Sequence, residues 1–294
     1  MFPEYKKSDF EINHIIGEGV NSIVYQGHLD GKKIAIKELQ NNYISFKEHL
    51  YDELKILRKL KSNHYFINIL GTCRVKDIHY ILMEYFDSDL FKYIDRFWKA
   101  SIQYQGIISP IITTIYYYKD GGDDRYNNEF YWSYSMDRIE KVYITKQLLS
   151  SVFELHSMNI IHGDIKSENF VYMNNILKMI DFNTSSDVGS KKEIKIECKF
   201  GTEGYIAPEQ YENKLSYKSD IYSICVTILE LWCGRIWFKD TTDFKSNRNE
   251  IMKSLRLLGK DEKKLSKILR KNISLKENYR CTIFTLLKDV DISI

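Results

Sequence analysis

Two short stretches of the chain gather side chains that could do chemistry together. The first reads Ile160-Ile161-His162-Gly163-Asp164-Ile165-Lys166-Ser167-Glu168-Asn169. The second, Asp181-Phe182-Asn183, ends a short apolar hairpin predicted over 170–180. Together they bring two carboxylates, a lysine and a carboxamide onto loops around one point. Metal-assisted phosphoryl transfer needs those groups. One Asp orients a hydroxyl and accepts its proton, and a Lys stabilises charge on the transferring phosphoryl. An Asn and a second Asp hold magnesium on the phosphate oxygens. Each residue alone is unremarkable; the joint spacing is hard to obtain by chance.

Two earlier segments offer what a phosphate-rich cosubstrate requires. Ile16-Gly17-Glu18-Gly19-Val20-Asn21-Ser22-Ile23-Val24 falls between two predicted strands. Glycines let a backbone pass close over phosphates and point N–H groups at them. Two glycines between strands are by default only a turn, so this segment gains its weight from a lysine downstream. In Ala35-Ile36-Lys37 the Lys lies thirteen positions after Val24, one hairpin away, and can reach phosphates beneath the glycine loop. A lysine so placed needs an acidic partner. Glu53, sixteen positions on, heads the apolar pattern Leu54, Leu57, Leu60; Glu48 is its rival.

These groups need a scaffold. Apolar–polar alternation with β-branched enrichment predicts strands over 10–16, 22–28 and 33–38, with Asp30-Gly31 as a two-residue hairpin turn. A helix is predicted over 46–60, then strands over 69–74 and 79–84. After Phe86 the texture becomes helical, with segments predicted over 89–98, 139–156, 218–233, 251–258, 262–269 and 282–290. A small β-rich front and a helical back make an α+β, two-lobed architecture. Between the first two rear helices, 100–137 holds the aromatic runs Tyr116-Tyr117-Tyr118 and Phe130-Tyr131-Trp132 around a Gly121-Gly122 turn. It reads as a hairpin or as a long insert, since loops of that length are unusual inside a domain. Exposed aromatics there would suit partner docking; a self-packing loop is the alternative.

Composition narrows the classes. With 43 basic and 40 acidic residues the net charge is +3, which gives no global case for nucleic-acid or membrane binding. Five scattered cysteines, none at metal-ligand spacing, are expected to be reduced thiols in a cytosolic compartment. The start lacks the apolar core of a signal peptide. The most apolar run, 221–238, is interrupted by Glu230 and Arg235, so a buried core helix is expected rather than a membrane span.

The segments occur in a fixed order, completed by Gly201-Thr202-Glu203-Gly204-Tyr205-Ile206-Ala207-Pro208-Glu209, by Ser219-Asp220-Ile221-Tyr222-Ser223 and by Arg280. That series resembles the eukaryotic-type protein kinases, serine/threonine type. The resemblance implies one domain over 10–290, with an N-lobe over 10–86 and a C-lobe over 87–290, and ATP and magnesium as cofactors. Residues 16 to 24 would cover the nucleotide. Ala35, the gatekeeper Met83, and Glu84 to Phe86 at the lobe junction would surround the adenine. Lys37 would touch the α- and β-phosphates and pair with Glu53. Asp164 would be the catalytic base and Lys166 the γ-phosphate partner, with Asn169 and Asp181 binding magnesium. Leu57, His162 and Phe182 look like members of an apolar spine. Asp220 resembles the anchor of the catalytic loop, and Glu209 with Arg280 resembles a structural ion pair. Lys166 and Thr202 match the serine/threonine pattern, so the implied substrates are Ser/Thr hydroxyls of proteins.

The chain also departs from that pattern. Ser22 stands at the third glycine of the loop. Gly163 replaces the Arg that usually receives an activation-loop phosphate, so activity is expected not to require that phosphate. Asn183 replaces a glycine at a position that often needs positive φ, which Asn tolerates best among the other residues. Two other readings stay open: a nucleotide-binding scaffold without catalysis, motivated by these departures, and a small-molecule phosphotransferase, motivated by His-Gly-Asp. The full charged set weighs against the first. The 201–209 segment weighs against the second.

Overall fold

In this computed structural model, residues 2–19, 22–40, 46–101, 131–134, 136–197, 199–234, 236, 238 and 243–294 are described. The predicted front strands are β1 (Phe10–Gly19), β2 (Ser22–Leu29) and β3 (Lys32–Gln40). Helix α1 (Phe46–Leu60) follows, then β4 (Ile69–Val75) and β5 (Ile78–Glu84). The five strands form one antiparallel sheet in the order β1-β2-β3-β5-β4. Asp30 (φ 51°) and Gly31 (φ 73°) both take the left-handed backbone that a two-residue hairpin turn demands, closing β2 onto β3.

The rear is helical, with α2 (Leu90–Asp95) capped by Asp89, whose carboxylate accepts from Lys92 N at 2.7 Å. The sequence expectation of a helix running on to Trp98 fails. Trp98 begins β6 (Trp98–Ser101), which pairs antiparallel with β7 (Tyr131–Tyr134). The 100–137 stretch is therefore entered and left through a two-stranded ribbon; its Gly121-Gly122 turn and tyrosine run lie outside the described residues.

Next come α3 (Arg138–Ser157), β8 (Ile160–Ile161), β9 (Phe170–Met173) and β10 (Ile176–Met179). They are followed by β11 (Ser186–Asp187), β12 (Glu193–Lys195) and β13 (Lys214–Ser216). The chain ends in α4 (Tyr217–Cys233), α5 (Phe244–Asp261), α6 (Lys263–Asn272) and α7 (Ile283–Asp291). Pattern reading starts α5 seven residues late, because 244–250 is polar and shows no apolar period of its own. The pairs β8–β11 and β12–β13 escape it for another reason: strands of two or three residues cannot display an alternation.

Helix α4 is the hub of the rear lobe. From Ser219 to Cys233 every residue is buried, as expected of a helix that is apolar on all sides and surrounded by others. Ser216 caps it, accepting from Lys218 N at 3.1 Å. Among the described residues no helix is long and apolar enough to cross a membrane.

Candidate active site

Sheet register assembles the first half of the site. Gly17 lies opposite Val24, and Val24 lies opposite Lys37, so the glycine turn and the lysine occupy one row across three strands. At the end of β1, Gly19 pairs with Ser22; a Cβ on Gly19 would come within 3.0 Å of the Ser22 hydroxyl. Ile16, Glu18 and Ile23 sit on the same hairpin, while Val20 and Asn21 at its tip lie outside the described residues. Ala35 is buried directly opposite Met83 on β5. The Glu84 carboxylate accepts from Asn68 N at 2.7 Å and pairs with Lys178 on β10. Phe86 is half-buried, its ring 6.0 Å from the same Lys178 ammonium.

Lys37 is buried, and its ammonium meets two carboxylates at 2.8 Å each: Glu53 of α1 and Asp181 beyond β10. Burial alone would lower its pKa, but Asp181 and Glu53 outweigh burial and hold the ammonium above its ordinary range. Burial likewise pushes Asp181 up, and Lys37 with smaller help from His162 and Lys166 brings it below the usual carboxylate range. Lys37 and Asp181 are thus both held charged.

The second half hangs from Asp220 at the start of α4. Its carboxylate accepts from His162 N at 2.9 Å and Gly163 N at 3.0 Å, and lies 2.9 Å from His156 Nε2. A buried carboxylate holding two successive backbone amides sets the course of the loop that carries Asp164. Asn169 Nδ2 donates to the Asp164 carbonyl at 2.7 Å, closing the loop from its other end. Lys166 donates to Thr202 Oγ1 at 2.6 Å and stands 3.4 Å from Asp164 Oδ2. Asp164 Oδ1 is buried, with no hydrogen-bond donor among the described residues. A buried carboxylate oxygen in that condition is costly unless water or a ligand supplies the donor.

Phe182 links the halves, its ring 5.4 Å from that of His162 and 5.8 Å from that of Phe66. Leu57 is buried in the same core cluster. Phe66 was not identifiable as a partner from sequence, because it lies between elements and belongs to no periodic pattern. Gln210 was missed too: its amide donates to Gly163 O at 3.0 Å and accepts from Ala207 N at 3.0 Å, tying the two loops together. The expectation that Asn183 takes the positive φ is corrected. That backbone state belongs to Asp181 (φ 60°), one of the residue types that tolerate it, and Asn183 is exposed.

The donor chemistry suits a hard cation. Among the described residues no group of three His, Cys, Asp or Glu could hold a metal alone. Asn169 and Asp181 supply two oxygen-bearing side chains, the kind of site in which magnesium takes its remaining ligands from phosphates and water.

A family model described as the protein kinase domain matches residues 10–290. The serine/threonine-protein kinase ATG1 of Kluyveromyces lactis is 26% identical over 261 residues, covering 79% of this chain and 30% of that relative. A probable serine/threonine-protein kinase of Dictyostelium discoideum is 27% identical over 248 residues, covering 80% of this chain and 42% of its own length. Probable serine/threonine-protein kinase 2 of Plasmodium falciparum is 26% identical over 236 residues, with 78% and 38% covered. The chain thus spans less than half the length of these relatives.

Proposed function

The chain belongs to the protein kinase domain family, and from that premise we propose that it transfers the γ-phosphoryl of ATP to serine or threonine hydroxyls of protein substrates. The observation that carries the reading is the condition of Asp164 Oδ1. It is a buried acceptor with no donor among the described residues, on a loop held by Asp220 and Asn169, beside Lys166. In this reading a substrate hydroxyl supplies that donor.

In this reading the glycine hairpin and Lys37 bind the phosphates, and Glu53 keeps Lys37 in place. Asn169 and Asp181 would hold magnesium, whose charge offsets that of the phosphate oxygens. Asp164 orients the hydroxyl and accepts its proton as the oxygen attacks the γ-phosphorus, whose bond to the β–γ bridging oxygen breaks so that ADP leaves. Lys166 brings positive charge to the transferring group, and its bond to Thr202 ties the catalytic loop to the 201–209 segment. The preference for Ser/Thr rests on Lys166 and Thr202.

The test is incubation of the purified chain with radiolabelled ATP, magnesium and mixed protein substrates, beside Asp164→Ala. Label on Ser or Thr that vanishes in the variant supports the reading. No label from either protein, with ATP demonstrably bound, overturns it in favour of a nucleotide-binding scaffold.

A further inference from the structure

The ion pair between Lys37 and Glu53 is only as stable as the position of α1. That helix buries Ile56, Leu57 and Leu60. A second polar tether, Lys59 to Asp187 at 2.5 Å, is 44% and 23% exposed and so contributes little. The chain before β1 adds a further hold. Phe2 is 7% exposed and joins the core cluster that contains Ile56, Leu57 and Leu60. Its ring lies 6.0 Å from the Arg58 guanidinium and 5.9 Å from the Lys61 ammonium, at the C-terminal tip of α1.

Phe2 reaches that place because the next residues run along β4, an edge strand of the sheet. Thr72 N donates to Pro3 O at 2.9 Å, and Tyr5 N donates to Thr72 O at 2.8 Å. The neighbouring residue must be glycine. A Cβ on Gly71 would lie 2.4 Å from the Tyr5 ring and 2.7 Å from Pro3 O. The Lys6 amide, bonded to Asp9 at 2.7 Å, then turns the chain into β1.

We propose that residues 2–9 form a strap that holds α1, and with it Glu53, in the position that pairs with Lys37. Phe2 is its anchor and Gly71 its seat. The strap is a positioning device, and its effect on rate rests on the phosphoryl-transfer reading above. Without it, α1 samples positions in which Glu53 leaves Lys37, and the competent population falls.

The experiment compares the full chain with Phe2→Ala, Gly71→Ala and the conservative Phe2→Leu. It measures hydrogen exchange of α1 and α4 amides, and kcat and KM for ATP. In Phe2→Ala and Gly71→Ala, α1 exchange is expected to rise and kcat to fall about tenfold, a modest population shift, with α4 still protected. Phe2→Leu restores both. Wild-type α1 exchange in Phe2→Ala and Gly71→Ala alike overturns the strap. If Phe2→Ala loses α4 protection and so has unfolded, Gly71→Ala decides, since it displaces the strap without deleting a core side chain. If the wild type transfers no phosphate, the phosphoryl-transfer reading fails, while α1 exchange still decides the strap.

Discussion

The ammonium of Lys37 lies 2.8 Å from a carboxylate oxygen of Asp181, 144 positions later in the chain. One contact therefore ties the small sheet to the far end of the rear-lobe hairpin, at the point where phosphates and metal would meet. The lysine also serves Glu53, so the pairing of α1, the sheet and the catalytic region converges on a single nitrogen.

The pairing sets a pH dependence. Asp181 is more acidic folded than unfolded, so its contribution is full above about pH 4 and is lost as pH falls through the lower folded value. Lys37 is more basic folded, so its contribution is full below about pH 10 and is lost as pH rises through the higher folded value. Lys37→Met removes the main lowering influence and leaves burial to push Asp181 up. Asp181's share of the acid limb of the melting-temperature profile should then disappear, because a carboxyl no longer more acidic folded than unfolded costs no stability on acidification. An unchanged acid limb in Lys37→Met would contradict the assigned cause.

Asp164→Asn keeps the size of the side chain and removes the base. Phosphate transfer should drop by about a hundredfold or more, the usual worth of a positioned base. ATP affinity should stay near wild type, because phosphate contacts fall to other residues. Parallel turnover and nucleotide-binding titrations check this, and comparable losses in both would remove Asp164 from the chemical step.

Gly163 sits at φ 84°, and a Cβ there would lie 2.7 Å from the Phe200 ring and 3.1 Å from Thr184 O. Gly163→Ala should cost about 1–3 kcal/mol from the backbone state and the clash. A Cβ here would meet the Phe200 ring, Thr184 O and Leu215, and Gly163 itself carries no phosphate-docking charge. Thr184 and Ser185 hydroxyls already donate to His162 O at 3.0 and 3.3 Å. The joint variant Ser186→Ala, Ser190→Ala should therefore keep its rate within a few-fold. A collapse of that rate would show that a loop phosphate is needed after all.

Arg280 is buried and bidentate to Glu209, at 2.6 and 2.9 Å, and Ser219 adds a bond to the same carboxylate at 2.8 Å. Arg280→Met should destabilise the protein by about 3–5 kcal/mol, because Glu209 is left as an unpaired buried charge. Adding Glu209→Gln should recover part of that loss. Urea unfolding of the two single variants and the double variant measures the coupling; strict additivity would mean that the pair is not a unit.

Much of the scaffold and the site was legible in the residues alone. Helix α1 and the Asp30-Gly31 turn come from periods of 3.6 and 2 and from the left-handed preference of a two-residue turn, all local properties. The identities of Lys37, Asp164, Lys166, Asn169 and Asp181 come from residue type and order. The tertiary structure decided the rest. It moves the left-handed backbone from Asn183 to Asp181 and fills the space at Gly163 with Phe200. It also seats Phe2 on α1 through Gly71 and leaves Asp164 Oδ1 without a donor among the described residues. Each of these depends on groups distant in sequence meeting within a few ångströms. Periodicity and composition carry no record of such meetings; only packing in three dimensions sets them.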